Sequence, residues 1–425
     1  VTEIPTKSAI SPTDLGPERL RVVQRRTLAV LAAAQVTGGV GVAVGLAYSS
    51  LIVAKLSGSA AIGGFAGTAS VLGAAMLALP IANLAARGGR RPGLATAFAA
   101  ALAGCLIGVA AVEISSWPLL LAGLVLMGGG SAGGLAARYA ATDLSPPGHA
   151  GRHLSLAVWA LTVGSVIGPN LVGPSLSLSA WAGLSPPAGP FAVAAITALT
   201  ALLIVAIGLR PDPLVTARRA AGGDIAPKSR PRATRDAWTA LKESVNARRA
   251  LVTIAVAHTA MASIMTMTPV HMDHHGASVT VIGMIISLHI AGMYVFSPIV
   301  GWLSDRYGRA PVLVLGLVFL LSAAVIAPAA DPHNVPQITA GLTLLGVGWS
   351  CALVAGSALL TESVPLERRP AVQGLSDLLM NVCGAGGTLV AGAIVGWWSY
   401  ATLGIVTSTL VVLCTAWFLL AGRRT

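Results

Sequence analysis

The chain has 425 residues, of which 55% are apolar and only 10% charged, and its mean hydropathy is +0.80. An ordinary soluble domain carries about 25% charged residues, so too few are present to cover a water-facing surface, and disorder, which needs high charge and few apolar residues, is excluded as well. The composition is that of an integral membrane protein, and the net charge of +12 has to be explained by where the basic residues lie, not by a nucleic-acid partner, whose continuous basic groove is missing.

The first 26 residues are polar and end in Arg25-Arg26. The apolar run that follows is too long for a signal-peptide core and lacks an A-x-A exit, so it reads as a first spanning helix with the N-terminus held inside. A span needs about 20 mostly apolar residues. Twelve candidates occur, at 27–54, 59–85, 93–112, 118–140, 153–175, 189–209, 250–271, 279–301, 311–330, 336–360, 371–396 and 400–421. Lipid cannot satisfy backbone polar groups, so these are helices; the runs are too long and too uniformly apolar for barrel strands.

With the N-terminus inside, segments 1–26, 86–92, 138–153, 210–249, 302–310, 361–370 and 422–425 fall in the cytoplasm and hold 26 of the 27 Lys and Arg, leaving Lys55 outside. One helix more or fewer would exchange the sides of every later loop and destroy that segregation. The expected protein is all-α and multi-pass in the cell membrane, with both termini cytoplasmic. It divides into a tail (1–26), a six-helix half (27–209), a basic linker (210–249), a second six-helix half (250–421) and a short tail (422–425). The linker contains Pro211, Pro213, Pro227, Pro231 and ten basic residues, and Ala237 to Ser244 is expected to form a short surface helix. Cys105, Cys351, Cys383 and Cys414 all fall in apolar runs and read as small buried hydrophobes.

The halves repeat at an offset of 219 residues: Leu84, Arg87, Gly89, Arg90 and Pro92 match Leu303, Arg306, Gly308, Arg309 and Pro311. Further on, Ser131 matches Ser350, Thr142 Thr361, Pro146 Pro365 and Gly168 Gly387, while Asp143 aligns with Glu362. Two six-helix units of the same orientation form a parallel repeat about an axis normal to the membrane, and such units can rock about a central site.

Gly301-Trp-Leu-Ser-Asp305-Arg306-Tyr-Gly308-Arg309 resembles the loop signature GxLxDRxGR of the major facilitator superfamily, in the position after the eighth helix. The first copy, after helix two, departs from it: Ala86 stands where the family has its aspartate. The resemblance implies the fold of that family and assigns to Gly301, Asp305, Arg306, Gly308 and Arg309 a part in locking the halves on the cytoplasmic side; Ala86 puts a symmetric lock in question. Gly164-xxx-Gly168-Pro169-xxx-Gly173 resembles the family's antiporter motif, although small residues there also permit close helix packing.

Residues 258–293 contain six of the nine methionines and five of the eight histidines. A histidine inside a span marks a candidate functional site. His258, Met261 and Met265 in helix seven recur at intervals of three and four, which puts them on one face within about 60°. His289 and Met293 in helix eight are also one turn apart. By depth, Met265, Met261, His289 and Met293 would form a ladder through the middle of the membrane. Thioether and imidazole are neutral ligands suited to Cu(I), and weak ligands in steps allow an ion to enter and leave. Met267 and Met284 fall on the opposite faces and read as packing.

Met261-Ala-Ser-Ile-Met265 and His289-Ile-Ala-Gly-Met293 resemble the MxxxM and HxxxM signature of the CcoA-type copper importers within that superfamily. The resemblance implies copper uptake, with Met261, Met265, His289 and Met293 as ligands. His271-Met-Asp273-His274-His275 is an outer loop that could capture ions.

Asp377, about two turns into helix eleven, is the one acid well inside an expected span, which suggests proton coupling or a charge partner. Gln35 and Asn170 could line a cavity or bond neighbouring helices. No GxxxxGK[ST] or HExxH motif occurs, so neither an ATP motor nor an enzyme is expected, and no cofactor. The expectation is a monomeric secondary transporter in contact with membrane lipid. Copper uptake is the first reading and proton-coupled efflux of small organic compounds the second; a non-transporting sensor of the same fold is a third class.

Overall fold

A computed structural model of the chain describes residues 16–222 and 233–422. Most of the N-terminal tail, the linker prolines Pro227 and Pro231 and the last three residues lie outside the described residues. Among those described, the regular structure is helical. The first half contains α1 (Pro17–Ser57), α2 (Ala60–Gly88), α3 (Arg90–Glu113), α4 (Trp117–Ala140), α5 (Ala150–Asn170), α6 (Val172–Trp181) and α7 (Gly189–Leu203). The linker forms α8 (Pro213–Ala220) and α9 (Ala233–Glu243). The second half contains α10 (Val245–His274), α11 (Val279–Tyr294), α12 (Ser297–Tyr307), α13 (Arg309–Ile326), α14 (Val335–Glu362), α15 (Arg369–Trp397) and α16 (Tyr400–Gly422).

Twelve stretches of the described residues are helical, long and apolar enough to cross a membrane, in the positions read from the sequence. Two differences have local causes. α1 begins at Pro17, ten residues before the apolar run, because a proline at the first turn and Glu18 behind it favour a helix start. The eighth span is split into α11 and α12 at Val295–Phe296, ahead of Ser297-Pro298, where proline removes a helical donor. We call the end where α1 begins and α16 finishes the basic end, since the arginine-rich connections gather there, and the opposite end the far end.

The linker helices dock on different halves. α9 buries Ala237, Ala240 and Leu241 against Leu251, Val364, Ala371 and Val372 of the second half. α8 begins under the α2–α3 turn, with Asp212 as its N-cap.

The repeat seen in the sequence is realised in packing. α5 and α12 meet where Gly301 lies against Gly151 and Ser155. The same offset takes Gly301 to Ala82 and Ser155 to Gly374, and Gly374 lies against Ala82 and Ala78 where α15 crosses α2. Both crossings join the halves near the basic end. Within the first half, α1 and α5 pack through glycines: a Cβ on Gly164 would come within 2.7 Å of backbone atoms of Val36, Gly39 and Val40, whereas one on Gly173 would meet nothing within 4 Å. The glycine-proline motif is thus a close-packing surface at its first two glycines.

That contrast gives a measurable expectation. Gly164→Ala overpacks a backbone-to-backbone contact, at a cost of about 1–3 kcal/mol, and should lower the thermal unfolding midpoint of the detergent-solubilised protein by several degrees. Gly173→Ala should leave it unchanged.

Candidate functional site

A cavity of about 260 Å³ lies between the halves in the middle of the bundle. Its two walls differ in kind. The first half contributes Gly38, Gly39, Gly130 and Gly134 between the apolar side chains of Val42, Phe98, Leu135, Val158 and Leu161, with Gln35, Ser131, Ser165 and Arg138 as polar groups. The second contributes His258, Met293, Tyr294, Trp349, Met380 and Asn381. Repeat symmetry makes the difference explicit, since His258 and Trp349 correspond to Gly39 and Gly130 at the same offset. A largely aliphatic wall with one ring, Phe98, therefore faces a wall richer in rings.

Each polar group on the aromatic wall is held. The indole N–H of Trp349 donates to His258 Nδ1 at 2.9 Å, which fixes His258 as the Nε2–H tautomer and makes it a donor. Tyr294 stands edge-on to Trp349 with ring centroids 5.8 Å apart. Gln35 spends its amide N–H groups on the carbonyls of Gly134 and Ala157, which leaves its carbonyl as an acceptor. Asn381 donates to Asp377 O at 2.8 Å, which leaves its own side-chain oxygen free to accept. Arg138 is the one formal charge among the lining residues.

Beneath the cavity, toward the basic end, three layers of charge join the halves. In the first, Arg138 of α4 donates to Asp377 of α15 at 2.7 Å and to Ser357 of α14 at 3.1 Å; the two charged side chains are 1% and 6% exposed. In the second, Arg90 pairs with Asp143 at 2.7 Å and reaches Gln373 of α15, also at 2.7 Å. A chamber of about 20 Å³, lined by Arg90, Tyr139, Gln373 and Asp377 among others, separates these layers. In the third, Asp305 accepts from the backbone N–H groups of Gly151 and Arg152, both at 2.9 Å, and pairs with Arg309. A carboxylate there meets the unsatisfied donors of the first turn of α5. Arg309 also holds Glu362 at 2.7 Å. All the hydrogen bonds between halves found among the described residues lie toward this end.

The residues singled out in the sequence are divided among these places. His258 and Met293 line the cavity. Met261 is buried in the hydrophobic core of the second half, and Met265 packs against that core half-buried. His289 is wholly buried and bonds Leu342 O through Nδ1 at 2.8 Å, while its Nε2 has no partner among the described residues. The expected ladder is not assembled on the cavity. Its reason is the position of α14, against which both α10 and α11 pack more extensively than against each other. Gly346 of α14 lies so close to α11 that a Cβ would come within 2.4 Å of His289 O. Adjacency along the chain implies a shared face between these two spans, and a third helix occupies that face.

Of the loop signature, Gly301, Asp305, Gly308 and Arg309 stand at the helix crossing and the third layer. Gly308 holds φ at +94°, a region open to glycine. Arg306 is instead exposed, 5.9 Å from the Tyr307 ring. Asp377 is 4% exposed within α15 and lies against the cavity floor rather than at a surface cap. Asn170 is exposed on its own helix, bonded to Val166 O. The segment expected as an outer loop instead continues α10 through His274, with His275 as its C-cap; His271 stacks on Tyr400 with centroids 4.6 Å apart, and no cluster of three or more metal-ligating His, Cys, Asp or Glu occurs among the described residues.

Sequence reasoning misses Arg138, Gln373, Tyr294 and Trp349. Arg138 reads there as a topology charge because the fourth apolar run fades at that point. Its correspondence with Ser357 at the repeat offset, which puts both at the symmetry axis, is the signal that could have found it.

The family model described as the Major Facilitator Superfamily matches residues 28–276 and 250–425. Two relatives from Bacillus subtilis, the MFS-type transporters YdeG and YddS, are each 34% identical to this chain; the alignments cover 94% and 95% of it, and 92% and 93% of the relatives. The riboflavin transporter RfnT of Brucella anthropi is 27% identical over 88% of this chain and 90% of its own length. Among solved structures, the human organic anion transporter MFSD10 superposes with a TM-score of 0.73 at 15% identity, over 93% of this chain and 99% of that one. The proton:xylose symporter XylE gives 0.70 at 15% identity, over 94% and 96%.

The first charge layer predicts strong coupling. Asp377→Leu or Arg138→Leu alone strands a buried charge and should cost about 3–5 kcal/mol. The double variant Arg138→Leu/Asp377→Leu should cost clearly less than the two single costs together. Unfolding of the four proteins in a double-mutant cycle measures the difference.

Proposed function

The chain belongs to the major facilitator superfamily and is a secondary transporter of that type with a multi-pass membrane fold; within that frame we propose that its cargo is a small planar organic solute, neutral or anionic, moved by alternating access. The observation that carries this reading is the cavity between an apolar wall of the first half and the ring-rich wall of the second. Trp349, Tyr294 and His258 offer ring faces and edges on one side, and Phe98, Val42, Leu135 and Leu161 form an apolar wall on the other. Ring pairs of this kind contribute about 0.5–1.5 kcal/mol each beyond burial. His258 Nε2–H donates, while Gln35 and Asn381 accept. Arg138 is the formal charge on the lining and no carboxylate lies among the lining residues, which disfavours a cationic cargo. The relative RfnT, a riboflavin transporter, agrees with a planar heteroaromatic solute.

In this reading the basic end is cytoplasmic, as the clustering of Lys and Arg favours, and the three charge layers close that side. The protein works in the cell membrane as a monomer, transporting rather than catalysing. The functional halves are 27–209 and 250–421, flanked by the tails 1–26 and 422–425 and joined by the linker 210–249. Asp377 is the proton-coupling acid: protonation would release Arg138 and loosen the cavity floor, and the small chamber beneath it would carry the proton onward. Asp305, Arg309, Gly301 and Gly308 form the lock, with Arg306 as a topology anchor.

Copper is the second reading. It retains Met293 and His258 on the cavity, two soft or borderline ligands, but Met261, Met265 and His289 do not line that cavity and His258 Nδ1 is committed to Trp349. Proton-coupled efflux of organic compounds shares the cavity chemistry of the favoured reading and differs from it in direction alone.

Binding and flux in proteoliposomes test all three. Riboflavin, as a planar probe, should raise the thermal unfolding midpoint where a hexose does not, and Trp349→Ala should weaken its binding at least tenfold, or about 1.4 kcal/mol. Accumulation of radiolabelled riboflavin driven by an imposed pH gradient should be lost in Asp377→Asn, and its sidedness separates uptake from efflux. Radiocopper accumulation that falls in Met293→Leu, with no response to riboflavin, would replace this reading by copper.

A further inference from the structure

Across the loop signature the two halves carry the same charges except at one place. Asp305 has Ala86 as its counterpart, while Arg309 and Glu362 have Arg90 and Asp143. The helix N-terminus that Asp305 caps is also altered. Its donors are the N–H groups of Gly151 and Arg152, and the counterpart of Gly151 is Pro370, which has no N–H to give. The carboxylate and one of its donors are thus both missing from the first half.

The linker supplies a carboxylate beside the α2–α3 turn, on the N-terminus of α3 rather than that of α15. Asp212 Oδ2 accepts from the backbone N–H of Arg91 at 2.7 Å, and its Oδ1 accepts from Leu214 and Val215 at 3.0 and 3.2 Å. The approach is close enough that a Cβ on Gly89, whose φ is +92°, would come within 2.5 Å of the Asp212 carboxyl; the counterpart Gly308 meets nothing nearer than 3.8 Å. One helix turn and a half further on, Arg218 donates to Ala86 O at 3.0 Å, bonding the residue that stands in place of the aspartate. Asp212 and Arg218 therefore clasp the α2–α3 turn from below, on the residues flanking Arg90.

We propose that Asp212 is a positioning residue of the cytoplasmic gate. It fixes the α2–α3 turn so that Arg90 stays in register with Asp143 and Gln373, acting through the turn, whereas Asp305 acts directly across the halves on the N-terminus of α5. The inference rests on the alternating-access reading, since it concerns how one side is closed, but not on the identity of the cargo.

Asp212→Asn isolates the effect. An asparagine retains an oxygen that can cap α8 but cannot also accept from the Arg91 N–H through its amide nitrogen. The reporter is a cysteine in place of Ser131 on the cavity wall, in the full chain in oriented membrane vesicles, labelled by a membrane-impermeant maleimide from the basic-end side. Protein without the added cysteine serves as the blank. Asp212→Asn should raise the labelling rate about five- to tenfold, corresponding to about 1.0–1.4 kcal/mol of gate closure. Adding Ala86→Asp, which returns a carboxylate one turn from Arg90, should remove at least half of that rise. Labelling within twofold of the parent overturns the proposal. So does a rise that Ala86→Asp leaves untouched, because a merely disordered loop would behave in that way. Should Asp212→Asn not fold, Arg218→Gln carries the same expectation, and the same two outcomes overturn it. Labelling needs no substrate, so it fails or succeeds separately from the binding and flux measurements.

Discussion

Closing one end of two six-helix bundles against each other forces charged groups out of water, and every such group has to find a partner at that interface. Burying an unpaired charge costs several kcal/mol, so the layout of the basic end follows from pairing. Arg138 meets Asp377, Arg90 meets Asp143 and Gln373, and Asp305 meets both Arg309 and the open donors of α5. The helices come close enough for these contacts because Gly151, Gly301 and Gly374 carry no side chain at the crossings. The paired charges are expensive when separated in lipid and inexpensive when separated in water. A closure made in this way can therefore come apart when the interface is hydrated.

The repeat supplies the scaffold and departures from it supply the chemistry. Where the halves match, as at Arg90 and Arg309, the residues join helices. Where they differ, the cavity acquires its character: glycine on one wall, His258 and Trp349 on the other. The change at Ala86 follows the same pattern. Its missing carboxylate is answered by Asp212 from the linker, so a segment with the composition of a simple connector contributes to one side of the closure. The linker docks on both halves, through α8 on the first and α9 on the second.

The solvent, the number of spans and the repeat are legible in the chain alone, because each is written in one dimension. Hydropathy records the length of each apolar run, arginine positions record the common end of the helices, and a constant offset records the duplication. Asp377 is legible for the same reason, since an acid inside an apolar run stands out without any knowledge of its neighbours. Which faces meet is settled by folding and by nothing earlier. The order of helices around the axis is not the order along the chain, so α14 packs against both α10 and α11 and buries His289 away from the cavity that Met293 reaches. Arg138, a loop charge by its place in the sequence, lies buried on the axis beside Asp377, because what a charge does depends on the helix from the other half that lands upon it.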